Sequence, residues 1–180
     1  SSKNYLYCNV FMSSNEISYL IIGHATQDRS LSGMQLGGTA IYSGLTACAL
    51  AHEVRMITAF PHDFPFSHLN LTVQRIETEE ATQFENIAEN GHRKQYCYHR
   101  APEILPAAIP LQWQQSHIIH LAPVAQEIPP ETVALFKFHP FLCATPQGWM
   151  RSWDQNGLVH PIKWDWAEKV LPFFKAHFFI

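Results

Sequence analysis

The amino-acid sequence predicts an α/β domain built on a parallel sheet. Three observations carry that expectation. Apolar strand patterns alternate with helical patterns along most of the chain, the arrangement that right-handed crossover connections require. The run Tyr19-Leu20-Ile21-Ile22 is apolar on both strand faces, as in a sheet covered by helices on each side. A paired glycine, Gly37-Gly38, then opens a helix of small residues, so backbone can approach a ligand beyond the strand end.

The elements follow in order. Ile17 to Gly23 reads as the first strand and His24 to Asp28 as a polar turn at its carboxyl end. Thr39 to Ala51 reads as a helix, with Thr39 as its cap, and Val54 to Thr58 and Leu69 to Ile76 read as strands. Gln83 to Ile87 and Lys94 to Tyr98 form a hairpin around Asn90-Gly91, because glycine supplies the positive φ that such a turn needs. Beyond it come a strand from Ser116 to Leu121, a helix from Pro130 to Phe138 and a strand from Phe141 to Thr145. A helix from Trp164 to Leu171 and a strand from Ala176 to Ile180 complete the order. No repeat or linker interrupts it, so residues 1–180 parse as one domain.

Composition narrows the function classes. Hydrophobic content of 47% with 15% charge excludes a disordered chain. The formal charge of −3 and the scattered Arg55, Arg75, Arg93, Lys94 and Arg100 give no basic stripe, so nucleic acid is not an expected partner. Cys8, Cys48, Cys97 and Cys143 occur singly, which suits reduced thiols in a cytoplasmic protein. No apolar run approaches the roughly 18 to 20 residues of a membrane span, and Ser1 to Ser18 lacks the pattern of a signal peptide. Eleven histidines occur without a recurring metal-ligand spacing, and no metal site is expected. The phosphate-cradling Gly-x-x-x-x-Gly-Lys-Ser/Thr run and the dinucleotide fingerprint are both absent.

The segment from Gly23 to Asp28, with Gly37-Gly38 behind it, resembles the amino-terminal part of the PfkB, or ribokinase-like, carbohydrate kinase family. The resemblance runs from about Ser18 to the end. Pro61-His62-Asp63 matches a family Gly-x-Asp turn in its acid but not its glycine, and Thr82 to His99 matches the β lid, about residues 82–100. Thr145-Pro-Gln-Gly-Trp-Met-Arg151 resembles a Pro-Gln-Gly-Trp-x-Arg segment found in one branch of the family. This implies a ribokinase-like, Rossmann-like three-layer α/β/α fold with a small β-hairpin lid, truncated at the carboxyl end. It also implies a sugar or polyol substrate, with ATP and Mg2+ as cofactors. The family's Asp-Thr-x-Gly-Ala-Gly-Asp motif, which carries the anion hole and the catalytic base, does not occur here, and the letters of its late Asn-x-x-Glu motif fall only at Asn86 to Glu89, inside the expected hairpin. No catalytic residue is therefore assigned, and the chain alone is expected to be inactive.

The candidate substrate-binding residues are Asp28, Gly37, Gly38, Thr39, Phe84, Tyr96, Gln147 and Arg151. Asp28 reads as an acceptor for sugar hydroxyls or as a turn cap. Gly37, Gly38 and Thr39 read as the wall under the sugar or as a plain loop before a helix. Phe84 and Tyr96, with Tyr98, line the lid face or pack across strands. Gln147 and Arg151 face a substrate beyond the strand end at Thr145, or Arg151 pairs with Asp154 at the surface. The expected function is the substrate-binding half of an ATP-dependent carbohydrate kinase. The alternative is a non-catalytic small-molecule-binding or protein-interaction module. Expected partners besides the sugar are a missing carboxyl-terminal half or a second copy through the lid. The phenylalanine-rich end, Phe173 to Ile180, is expected to present uncovered apolar surface.

Overall fold

In the computed structural model, which describes residues 17–50, 52–63, 66–89, 91–174 and 176–177, the first strands are β1 (Ser18–Ile22), β2 (Thr26–Ser30) and β3 (Gly33–Gly37). Helix α1 (Thr39–Ala49) leads to β4 (Glu53–Phe60), β5 (Thr72–Glu77), β6 (Gln83–Glu89), β7 (His92–His99) and β8 (Ile118–Leu121). Then follow α2 (Pro130–Leu135), β9 (Leu142–Ala144), β10 (Arg151–Trp153), β11 (Val159–Pro161), α3 (Ala167–Val170) and β12 (Ala176–His177).

The principal sheet has six strands in the order β12-β9-β8-β1-β4-β5, all parallel. Its interior explains the doubly apolar first strand. Leu20 and Ile22 enter one core with Ile119, Leu121, Val133 and Phe136, while Ile21 between them enters the other with Ala40, Ile41, Met56 and Phe60. Alternation on a pleated strand thus feeds two helix-covered faces, giving the expected three layers. On α1 the buried residues Ala40, Ile41, Gly44 and Ala47 form a stripe at helical spacing that packs on the sheet.

The lid is larger than a hairpin. Four strands in the order β3-β2-β6-β7 form a second sheet, and the segment read from sequence as a polar turn, His24 to Asp28, enters it as strand from Thr26 onward. Short charged segments read as turns because they lack an apolar face. This one is held extended by pairing along its whole length with the adjacent β3, from Thr26 opposite Gly37 to Ser30 opposite Gly33, and by remote partners: Gln27 donates its amide to the Thr82 carbonyl at 2.9 Å, and Arg29 lies opposite Glu85. A second feature beyond the sequence reading is the β10–β11 hairpin, whose turn is tied by the Asp154 carboxylate accepting the amides of Asn156 and Leu158. The lid rests on a small third core of Phe84, Cys97, Val124 and Ala125.

The expected elements otherwise appear with shifted ends. The helix expected to reach Phe138 stops at Leu135, and that expected over Trp164 to Leu171 is the short α3 followed by a 3₁₀ turn. Phe178, Phe179, Ile180, Asn90 and Cys8 lie outside the described residues, while Cys48, Cys97 and Cys143 are free thiols. No helix among the described residues is long and apolar enough to cross a membrane.

Candidate acceptor-binding site

The strand ends of the principal sheet converge on the underside of the lid. At the end of β1, a Cβ on Gly23 would stand 2.2 Å from the Ala122 carbonyl oxygen, so glycine is what lets the chain turn away beside β8. Immediately beyond, the buried Glu127 carboxylate accepts the amides of His24 (2.9 Å), Val124 (3.0 Å) and Ala125 (2.7 Å). This one side chain ties the exit of β1 to the loop after β8. The buried His24 ring reaches the Pro102 carbonyl and the Thr82 hydroxyl, fixing the root of the lid. Burial holds His24 below its ordinary pKa, against the opposing charge of Glu127.

Beside these anchors lies a half-open cavity of about 230 Å³. Thr26 and Asp28 come to it from β2, Gly38, Thr39 and Tyr42 from the start of α1, and Phe84 and Asn86 from β6. Arg93 and Gln95 of β7, Val124, Gln147 and Arg151 complete the wall. The Pro-Gln-Gly-Trp segment forms a 3₁₀ turn, Pro146–Met150, that delivers Gln147 and Arg151 together. A Cβ on Gly148 would lie 2.4 Å from the Val124 nitrogen, so this turn seats only on a glycine. Trp149 points into the core, where its indole donates to the Ile128 carbonyl at 2.8 Å and stacks on Trp164 at 4.6 Å.

Two polar side chains of this wall stand side by side, the Thr26 hydroxyl close enough to favour the ionised Asp28 carboxyl without completing a well-formed hydrogen bond. Thr26 Oγ1 and Asp28 Oδ1 are both buried. Such atoms ordinarily find partners, and a ligand hydroxyl would satisfy both. Burial pushes the Asp28 carboxyl above its ordinary pKa, opposed first by the neighbouring Thr26 hydroxyl and then by the charges of Arg151 and Arg93. Arg151 donates to the Val124 carbonyl at 3.1 Å and lies 5.4 Å from the centre of the Phe84 ring. It does not pair with Asp154, whose carboxylate is taken up by its own turn and by His160 at 3.6 Å.

Of the residues singled out from sequence, Asp28, Gly38, Thr39, Phe84, Gln147 and Arg151 line this cavity. Gly37 underlies it: a Cβ there would stand 2.6 Å from Asp28 Oδ2. Tyr96 lies on the other face of the lid, stacked on Tyr98, whose hydroxyl donates to Glu85 and whose ring carries the Arg29 guanidinium at 4.4 Å. Sequence reasoning missed Thr26, Tyr42, Asn86, Arg93, Gln95 and Val124. A signal for three of them was present: counting by two from Phe84 gives Asn86, and the residues facing Asn86 and Ala88 across the hairpin are Gln95 and Arg93. Asp63 sits elsewhere, in an open depression with His62, Phe66 and Arg75.

The likeness to solved structures bears directly on this arrangement. A pyrophosphate-dependent kinase in the ribokinase family, complexed with a pyrophosphate analogue and myo-inositol, superposes with a TM-score of 0.74 over 89% of this chain at 19% identity. A pyrophosphate-dependent myo-inositol kinase variant superposes at 0.76 over 89% of the chain with 20% identity. The chain has the ribokinase fold. More distant examples are the Arabidopsis thaliana ribokinase complexed with ribose and ATP (TM-score 0.54, 11% identity, 73% of this chain) and the Halothermothrix orenii fructokinase (0.56, 13%, 72%). The chain spans 54% to 60% of the length of these ribokinase-fold structures. No family model matches the sequence, and no curated protein matches it.

No group of three or more His, Cys, Asp and Glu side chains among the described residues could hold a metal ion. The cavity, about 230 Å³, lies below the usual range of roughly 300 to 1,000 Å³ for larger ligands and suits a single small ring. ATP and Mg2+ stand as implied by the resemblance.

Proposed function

We propose that this chain is the acceptor-binding half of a carbohydrate or polyol kinase and that it binds a small polyhydroxylated ring between the lid and the amino end of α1. The observation that carries the reading is the polar wall of a monosaccharide-sized cavity, where Thr26 and Asp28 stand side by side with Asn86, Gln147 and Arg151 around the same space. Asp28 accepts hydroxyl hydrogen bonds, and Gln147 and Asn86 offer amides that donate and accept at other ring positions. Phe84 supplies an apolar surface against a ring face. Cyclitols are favoured because pyrophosphate-dependent inositol kinases stand among the structures most similar to the chain.

Phosphoryl transfer from this chain alone is not expected. The residues described hold the acceptor, and the anion-hole and base motifs of the family are absent from the sequence. The donor, whether ATP or pyrophosphate, would have to be held by residues outside this site.

Thermal unfolding of the chain with a panel of hexoses, pentoses, cyclitols and nucleosides tests the reading, with ATP-Mg2+ and pyrophosphate-Mg2+ in parallel. A specific ligand at a hundredfold excess over its Kd adds about 2.7 kcal/mol, a shift of several degrees. One polyol class should give this shift, and Asp28→Asn should abolish it. A panel with no stabilising polyol, or a shift that survives Asp28→Asn, would sink the assignment.

A further inference from the structure

The cavity carries more positive charge than a neutral polyol calls for. Arg93 and Arg151 both line it, and both also line an adjoining cleft of about 570 Å³ that shares Gln95 and Gln147. Among the described residues, neither guanidinium has a carboxylate in ion-pair contact. Arg93 donates from Nε to the Asn86 side-chain oxygen at 2.9 Å, which pins the group to the inner face of the lid. Arg151 donates from Nη1 to the Val124 carbonyl.

Two carboxylates lie near enough to influence Arg151, and each is otherwise committed or hindered. Glu127 is fully buried and takes up three backbone amides. Asp28 is disfavoured as an anion by its own burial. Burial, and then the charge of Arg93, hold Arg151 below its ordinary pKa, as expected for two like charges facing one space. A hydroxyl group relieves this little. An anionic substituent relieves it fully, because guanidinium forks match carboxylate and phosphate oxygens.

Resting on the acceptor-site reading above, we propose that the preferred acceptor carries an anionic group, and that Arg93 and Arg151 bind it where the cavity opens into the cleft. The ring then lies toward Asp28 and Thr26, with the charged substituent toward β7 and the Pro-Gln-Gly-Trp turn. The shared chemistry is a polyol bearing a phosphate or a carboxylate.

The test is calorimetric titration of the full chain with myo-inositol, an inositol monophosphate, glucose, glucuronate and inorganic phosphate at low salt. At least one anionic polyol should bind on the order of tenfold more tightly than its neutral parent. That ratio should fall toward one in Arg93→Gln and with rising salt, and recover in part in Arg93→Lys. The phosphate and carboxylate arms identify the substituent. Neutral parents that bind as tightly as both anionic forms, or a ratio indifferent to Arg93→Gln, would overturn the proposal while leaving the acceptor site standing. Inorganic phosphate binding as tightly as the polyol phosphate would overturn it too, since the ring would then contribute nothing. No binding by any polyol would bring down both readings together.

Discussion

Asp28 and Gly37 meet across the β2–β3 hairpin so closely that a Cβ at position 37 would stand 2.6 Å from Asp28 Oδ2 and 2.9 Å from Thr26 Oγ1. The absence of a side chain at one residue thus sets the position of the carboxylate at another. Gly37→Ala should push Asp28 out of line and weaken polyol binding on the order of tenfold or more. Its unfolding temperature should change little, because the Asp28 side chain can rotate. Calorimetry alongside thermal unfolding separates the two effects.

Gly148 makes the opposite case, since its close neighbours are backbone atoms of Pro123 and Val124 rather than a movable side chain. Gly148→Ala should cost about 2 kcal/mol or more of stability and displace Gln147 and Arg151 together. Urea denaturation and polyol titration on the same variant should both register the change.

Glu127 has no exposed surface and holds three amides from two separate chain segments. Glu127→Gln sets an amide donor against backbone donors and should destabilise the chain by about 3 kcal/mol. An unchanged urea midpoint would contradict the role given to this carboxylate.

His120 is buried between the Tyr19 hydroxyl at 2.6 Å and the Thr145 hydroxyl at 2.9 Å, and burial pushes its pKa down to about 4. The folded chain therefore holds it neutral where the unfolded chain, with a pKa of about 6.5, takes up a proton. Stability falls as pH drops from about 6.5 toward 4, by up to about 1.4 kcal/mol per pH unit, or about 2 kcal/mol at pH 5. His24, also held below its ordinary pKa by burial, acts in the same direction. Urea midpoints at pH 7 and pH 5 should differ accordingly, and His120→Gln should flatten the slope.

The parallel sheet was legible in the chain because its signal is local. Tyr19 to Ile22 is apolar at every position, and only burial on both faces accounts for that. Gly37-Gly38, Asp28 and the Pro-Gln-Gly-Trp-Met-Arg run stood out for the same reason, each being a short pattern with its own chemistry. The tertiary structure decided what those patterns meet. Thr26 to Ser30 pairs with the adjacent β3, and partners near residues 82 and 85 join that hairpin to the lid, which no local pattern at Asp28 records. Which side of the lid faces the cavity was a matter of strand register, and register chose Phe84, Asn86, Gln95 and Arg93 while turning Tyr96 away. A shift of one residue in a strand reverses every side chain, so the composition of the hairpin left its inner face open. The sequence by itself determined the fold class and half of the cavity-lining residues. Packing at long sequence separation decided their geometry, because contact, burial and unpaired charge arise only when remote segments share one space.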